Sequence, residues 1–350
     1  MKTIVIAFIL SCLSASAMAQ TVKSHVVEAG GTGPFKAEVV CDSSLPTHTV
    51  YRPQDMKAAV EAQGKLPVIL YANGACANNN QQMRLLLNEL CSYGYVALAI
   101  GPYDEISSVD NWKEVLLTSY PEGKQVVLAN GEKMAPPTAE EVEAAKKARE
   151  AKWKSEMAPQ SAKKGKKAAP VPAPFRPYNR QLLEALDWLT DQNANPNSEY
   201  YHMIDLDKVA AMGQSCGGAM VLGVSHDPRI KTCVMLNTGI GQMEMNGVSK
   251  TSLASVHTPM FYMIGGKTDV AFLNAADDFA ALNHVPVVMY NSNDGHNGTY
   301  YEAHGGAFAD AAHRWLDWQL KGQISRSAFF LDDEFVSKLH PDWTFQRKNF

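Results

Sequence analysis

The chain has 350 residues, 46% of them apolar and 19% charged, with a formal net charge of -4. These values exclude a collagen-like repeat, disorder throughout and a polybasic nucleic-acid binder. A chain of this length buries roughly three quarters of its unfolded surface, as one large α/β domain or as two ordinary ones.

The first segment reads as a targeting sequence outside the fold. Lys2 precedes an apolar run over 4–13, and small residues end at Ala17-Met18-Ala19, the order of a secretory signal peptide cleaved after Ala19. The alternative, a lipoprotein anchored through Cys12, leaves a very short apolar stretch. No later stretch approaches the ~18–20 unbroken apolar residues of a membrane span. Residues 20–350 are therefore expected to form a single domain, periplasmic or secreted.

Along that domain, short β-rich runs alternate with helical patterns, which predicts an α/β fold with a mostly parallel sheet and helices on both faces. Eight strands are expected, at 36–40, 47–52, 66–71, 95–100, 208–212, 229–236, 259–264 and 286–290. Helices are expected at 81–90, 178–190, from 217, at 272–282 and at 308–320. An insertion at about 103–177 interrupts the alternation. Its part over 138–157, rich in Ala, Glu and Lys, predicts an exposed helix, and 158–177 is a Lys, Ala and Pro tract that reads as a linker. The Lys-rich run 163–167 reads as solvated charge and not as a nucleic-acid contact, because no aromatics interleave it and the chain is acidic overall.

Gly213-Gln214-Ser215-Cys216-Gly217-Gly218 lies between a predicted strand and a predicted helix, the context in which a Gly-x-Ser-x-Gly motif holds a nucleophilic serine on a sharp turn. Glycines two residues to either side leave room for that turn. A serine hydroxyl needs a base and the base an orienting acid. Asp269, just beyond the strand over 259–264, is the expected acid, with Asp294 as its competitor. His296, after the last predicted strand and before the last long helix, is the expected base; His304 is assigned a loop-packing role.

An oxyanion hole requires backbone N–H groups aimed at the developing charge. One should come from Cys216, the residue after the nucleophile, and the other from Asn73-Gly74-Ala75-Cys76, where Gly74 would let the chain turn the Cys76 N–H inward. If Cys76 and Cys216 both serve one oxyanion, their α-carbons must flank the same small space, and the ~4.4–6.8 Å that a disulfide requires follows. The other arrangement leaves both as free thiols while Cys41 and Cys91 pair or stay buried. Beyond Cys12 there are five cysteines, so at least one stays free or pairs outside the chain. Cys233 is expected to be a small buried apolar side chain.

Five segments together resemble secreted α/β-hydrolases of the dienelactone-hydrolase, chlorophyllase and polyester-hydrolase branch: Ala72-Asn73-Gly74-Ala75-Cys76, 94–101, Gly213 to Gly218, Gly265-Gly266-Lys267-Thr268-Asp269 and Gly295-His296-Asn297-Gly298-Thr299. The resemblance covers roughly 35–321 apart from the insertion, which is not a family feature. A serine stands where true dienelactone hydrolases carry a cysteine, which argues against dienelactone as substrate. The implied activity is a carboxylic-ester hydrolase acting through an acyl-enzyme, without cofactor or metal, on a small-molecule or polymer-linked ester. The competing readings are an amidase, peptidase or acyltransferase with the same triad, or a binding protein without turnover.

Overall fold

The computed structural model describes residues 22–103, 108–157 and 177–350. The expected signal peptide and all but the last residue of the 158–177 tract lie outside the described residues. The strands are β1 (Val22–His25), β2 (Ala37–Asp42), β3 (His48–Pro53), β4 (Leu66–Ala72), β5 (Val96–Ile100), β6 (Val126–Val127), β7 (Lys133–Met134), β8 (Ile204–Gln214), β9 (Ile230–Leu236), β10 (Met260–Ile264), β11 (Val287–Asn291) and β12 (Thr344–Lys348). The longer helices are α1 (Met56–Gln63), α2 (Arg84–Ser92), α3 (Ser108–Ser119), α4 (Ala139–Met157), α5 (Gln181–Ala194), α6 (Cys216–Val224), α7 (Phe272–Ala281) and α8 (Gly306–Lys321).

Among the described residues, ten strands form one sheet in the order β1-β2-β3-β5-β4-β8-β9-β10-β11-β12, and β6 and β7 form a separate hairpin. The central run from β5 to β11 is parallel, whereas β1, β2 and β3 on one side and β12 on the other pair antiparallel. The expectation of eight strands is thus corrected to a ten-stranded sheet of mixed orientation. All eight expected strands are present, and the two added ones are the edges. Neither edge has an apolar signature: β1 is Val-Lys-Ser-His and β12 is Thr-Phe-Gln-Arg-Lys, because an edge strand has one solvated side and needs charge to discourage further pairing.

The parallel strands are buried on both faces, so they read as continuous apolar runs whose alternate residues feed two cores. Val68, Leu70 and Ala72 of β4 join Leu186 of α5 and Met220 of α6 on one face. Ile69 and Tyr71 join Leu87 of α2 and Trp315 of α8 on the other. A parallel sheet also gathers its carboxyl ends on one edge, where loops from neighbouring strands meet.

The insertion divides into unlike parts. The described side chains of α4 are mostly exposed, as its composition predicts. The segment before it is not a surface excursion: Trp112 and Leu116 of α3, with Val126 and Leu128 of the hairpin, enter the second core. Trp112 Nε1 donates to Gln82 O at 3.1 Å, and its ring meets Tyr301 edge-on at 5.9 Å between centroids. Trp112→Ala should therefore lower the unfolding free energy by ~3–5 kcal/mol in urea titration. A loss below about 1 kcal/mol would show that α3 is not part of the core.

Candidate functional site

β8 ends at Gln214 and α6 begins at Cys216, leaving Ser215 as the one residue between strand and helix. Its φ of 51° and ψ of -120° are costly for a residue with a side chain. Three bonds hold it there. Its N–H donates to Leu236 O of β9 at 3.0 Å, and its carbonyl accepts from Gly218 N–H at 2.9 Å and Thr238 Oγ1 at 2.6 Å. A Cβ on Gly213 would sit 2.4 Å from Gly217 O, and one on Gly217 2.1 Å from Ala72 O, so the turn closes only with glycine at both.

His296 stands on the short turn Gly295–Asn297 after β11. Its Nε2 is 2.9 Å from Ser215 Oγ and its Nδ1 is 2.7 Å from Asp269 Oδ1. An ionised carboxylate only accepts, so the Nδ1 proton faces Asp269 and Nε2 is left to accept from the serine hydroxyl. Burial pushes the Asp269 carboxyl up, but donation from His296 and from the N–H groups of Ala271 and Gly265 outweighs it and holds the group below the ordinary carboxylate range. The three expected residues are thus joined in one hydrogen-bonded chain. Such a chain can move the serine proton onto the imidazole and stabilise the imidazolium.

Asn237 escaped the sequence reading. It follows β9 with φ 45° and donates to Asp269 Oδ2 at 2.8 Å and to Gly295 O at 3.0 Å, tying the acid to the histidine turn. Tyr300 OH donates to its Oδ1. The available signal was a polar residue directly after the apolar run Ile230–Leu236, at the carboxyl end where functional side chains gather. Asp294, the competing acid, is buried but pairs with Lys124 instead of His296. His304 lies 3.4 Å from Glu28 and from Glu89, in the loop-packing role expected of it.

The turn Gly74–Cys76 follows β4, and Cys76 and Cys216 form a disulfide with α-carbons 5.2 Å apart. The left-handed residues of that turn are Ala75 (φ 53°) and Cys76 (φ 48°), so the turn expected of Gly74 is made by the two residues after it. Gly74 serves close packing instead, since a Cβ there would meet Gln214 Oε1 at 1.9 Å. Cys216 opens α6, where first-turn N–H groups have no intrahelical acceptor and carry the positive end of the helix dipole. Cys91 and Cys233 are buried free thiols, and burial pushes Cys233 up to about 12.

A cavity of about 230 Å³ opens beside Ser215 and His296, walled by Ala219, Ile240, Met243, Met245 and Val270. Among the described residues, no Asp, Glu, Lys or Arg lines it. A wider polar cleft of about 560 Å³, lined by Lys267, Asn291 and Gln346 among others, includes neither Ser215 nor His296. Among the described residues no cluster of three or more His, Cys, Asp or Glu could hold a metal ion, and no helix is long and apolar enough to cross a membrane. No family model matches the chain, and no curated protein matches it.

The geometry ranks the two carboxylates. A fluorophosphonate probe should label Ser215, and Asp269→Asn should slow labelling by ~10³–10⁴-fold by removing the acceptor that fixes the His296 tautomer. Asp294→Asn should slow it by no more than about tenfold, since that residue does not touch the imidazole. The reverse ranking would transfer the orienting role to Asp294.

Proposed function

We propose that the protein is a serine carboxylic-ester hydrolase of the α/β-hydrolase fold, acting through an acyl-enzyme. The observation that carries this reading is the Ser215–His296–Asp269 chain, with bonds of 2.9 and 2.7 Å, at the carboxyl edge of a largely parallel sheet. In this reading Ser215 Oγ attacks the ester carbonyl as its proton passes to His296 Nε2. Asp269 holds the imidazole and stabilises its charge. The N–H groups of Cys76 and Cys216 receive the oxyanion, and His296 returns the proton to the leaving alcohol before water repeats the sequence on the acyl-enzyme. No cofactor or metal is required.

The mostly apolar cavity beside Ser215, with no Asp, Glu, Lys or Arg in its described lining, supports an ester whose acyl group carries no charge, small or attached to a polymer, and disfavours lactones that carry a free carboxylate. The Cys76–Cys216 disulfide supports an exported protein, periplasmic or secreted, because oxidising compartments preserve such bonds.

The test is hydrolysis of a p-nitrophenyl ester series from acetate to palmitate, with the matching anilides alongside. Ester turnover should be lost by ~10⁴-fold or more in Ser215→Ala, with the melting temperature unchanged. Wild-type turnover in Ser215→Ala would overturn the assignment. Faster cleavage of anilides than of esters would replace the esterase with an amidase.

A further inference from the structure

We infer that Lys124, in the insertion, is a positioning residue for His296: the turn after α3 clamps the loop that carries the base. This rests on the proposed function for its kinetic readout and on geometry alone for its structural content. His296 sits on a turn flanked by Gly295 (φ 70°) and Gly298 (φ 48°), so the local backbone has little stiffness of its own and the position of the ring depends on what grips the loop. From the sheet side, Gly295 N–H donates to Gly265 O at 2.8 Å, and Gln214 Nε2 donates to His296 O at 3.3 Å.

From the other side the grip comes from the insertion. Lys124 Nζ donates to Asp294, two residues before His296, and lies 3.4 Å from Glu302, six residues after it. One ammonium thus bridges both ends of the loop. The Asp294 side chain is only 6% exposed, and a carboxylate so buried requires a countercharge or must move to reach water. Burial lowers the basicity of Lys124, yet its bonds to Asp294 and Glu302 raise it above the ordinary value, so it stays a cation. Two further bonds join the same two segments. Asn297 Nδ2 donates to Ser119 Oγ at 2.5 Å, and Ala129 N–H donates to Tyr301 O at 3.0 Å. Every one of these contacts joins 119–129 to 294–302. Without the Lys124 bridge, a buried anion beside Gly295 is uncompensated, and the turn shifts to solvate it, carrying the imidazole off line from Ser215.

The test uses the full chain with Lys124→Met, Lys124→Arg, Asp294→Asn and the Lys124→Met/Asp294→Asn double variant, assayed on p-nitrophenyl butyrate below their melting temperatures. Lys124→Met should lower kcat by ~10–100-fold, the loss expected from a displacement on the order of 1 Å. KM should stay within about twofold, because substrate binding is untouched. Lys124→Arg retains the cation and should stay within about threefold of wild type. The double variant should be no worse than Lys124→Met, since both substitutions break one link. Wild-type kcat in Lys124→Met, an equal loss in Lys124→Arg, or multiplied losses in the double variant would each overturn the clamp. Fluorophosphonate labelling of Ser215 is read in parallel. A wild type that labels but cleaves no ester defeats the ester reading alone and leaves the ratio of labelling rates to decide the clamp; a wild type that does neither overturns both.

Discussion

Four donors converge on the Asp269 carboxylate: His296 Nδ1, Asn237 Nδ2 and the N–H groups of Gly265 and Ala271. A carboxylate with 3% exposure is costly to ionise, and leaving it short of partners costs several kcal/mol. Each donor comes from a different point at the carboxyl edge of the sheet: the turn after β11, the end of β9 and the two sides of the loop after β10. Keeping Asp269 ionised therefore sets the spacing of three loops at once. Asn237 extends the constraint by bonding Gly295 O, and Ser215 enters the same frame through its N–H bond to Leu236 O, one residue before Asn237. Strain at Ser215 persists because this frame surrounds it.

The disulfide plays a comparable part on the other side of the serine. Cys76 and Cys216 are 140 residues apart in sequence, and closing a loop of that length removes about 5 kcal/mol of unfolded-state freedom in the chain-entropy picture. Its local consequence matters more for the site. Ala75 and Cys76 both adopt left-handed backbone, and the covalent link ties that turn to the first residue of α6, directly after Ser215. In the proposed reading, that link would hold the N–H groups of Cys76 and Cys216 in one fixed relation, the preorganisation an oxyanion site needs.

The insertion shows how composition can hide a role. The described side chains of its charged helix α4 are mostly exposed, since the sequence there offers no apolar stripe to bury. The stretch immediately before it contributes Trp112 to the core and Lys124 to the loop that carries His296. Their partners, Gln82 and Tyr301 for Trp112 and Asp294 and Glu302 for Lys124, are remote in sequence, so no local pattern in 108–129 announces them.

Much of the site was legible because its chemistry demands particular residues at particular turns. A serine held on a strand-to-helix turn needs small neighbours, and the apolar runs around Gly213–Gly218 mark that turn. Ser215, Asp269 and His296 follow from their places after β8, β10 and β11, and the pairing of Cys76 with Cys216 was expected from two proposed donors sharing one target. The central parallel strands were legible for the same kind of reason, since burial on both faces leaves unbroken apolar runs. The edges β1 and β12 were not, because a strand with a solvated side carries no such run. Nor were Asn237, the left-handed backbone of Ala75 and Cys76, or the bridge from Lys124 to Asp294 and Glu302. Those depend on distances between loops that are far apart in sequence, and hydrogen bonds and ion pairs between such loops are set only when the sheet brings its carboxyl ends together.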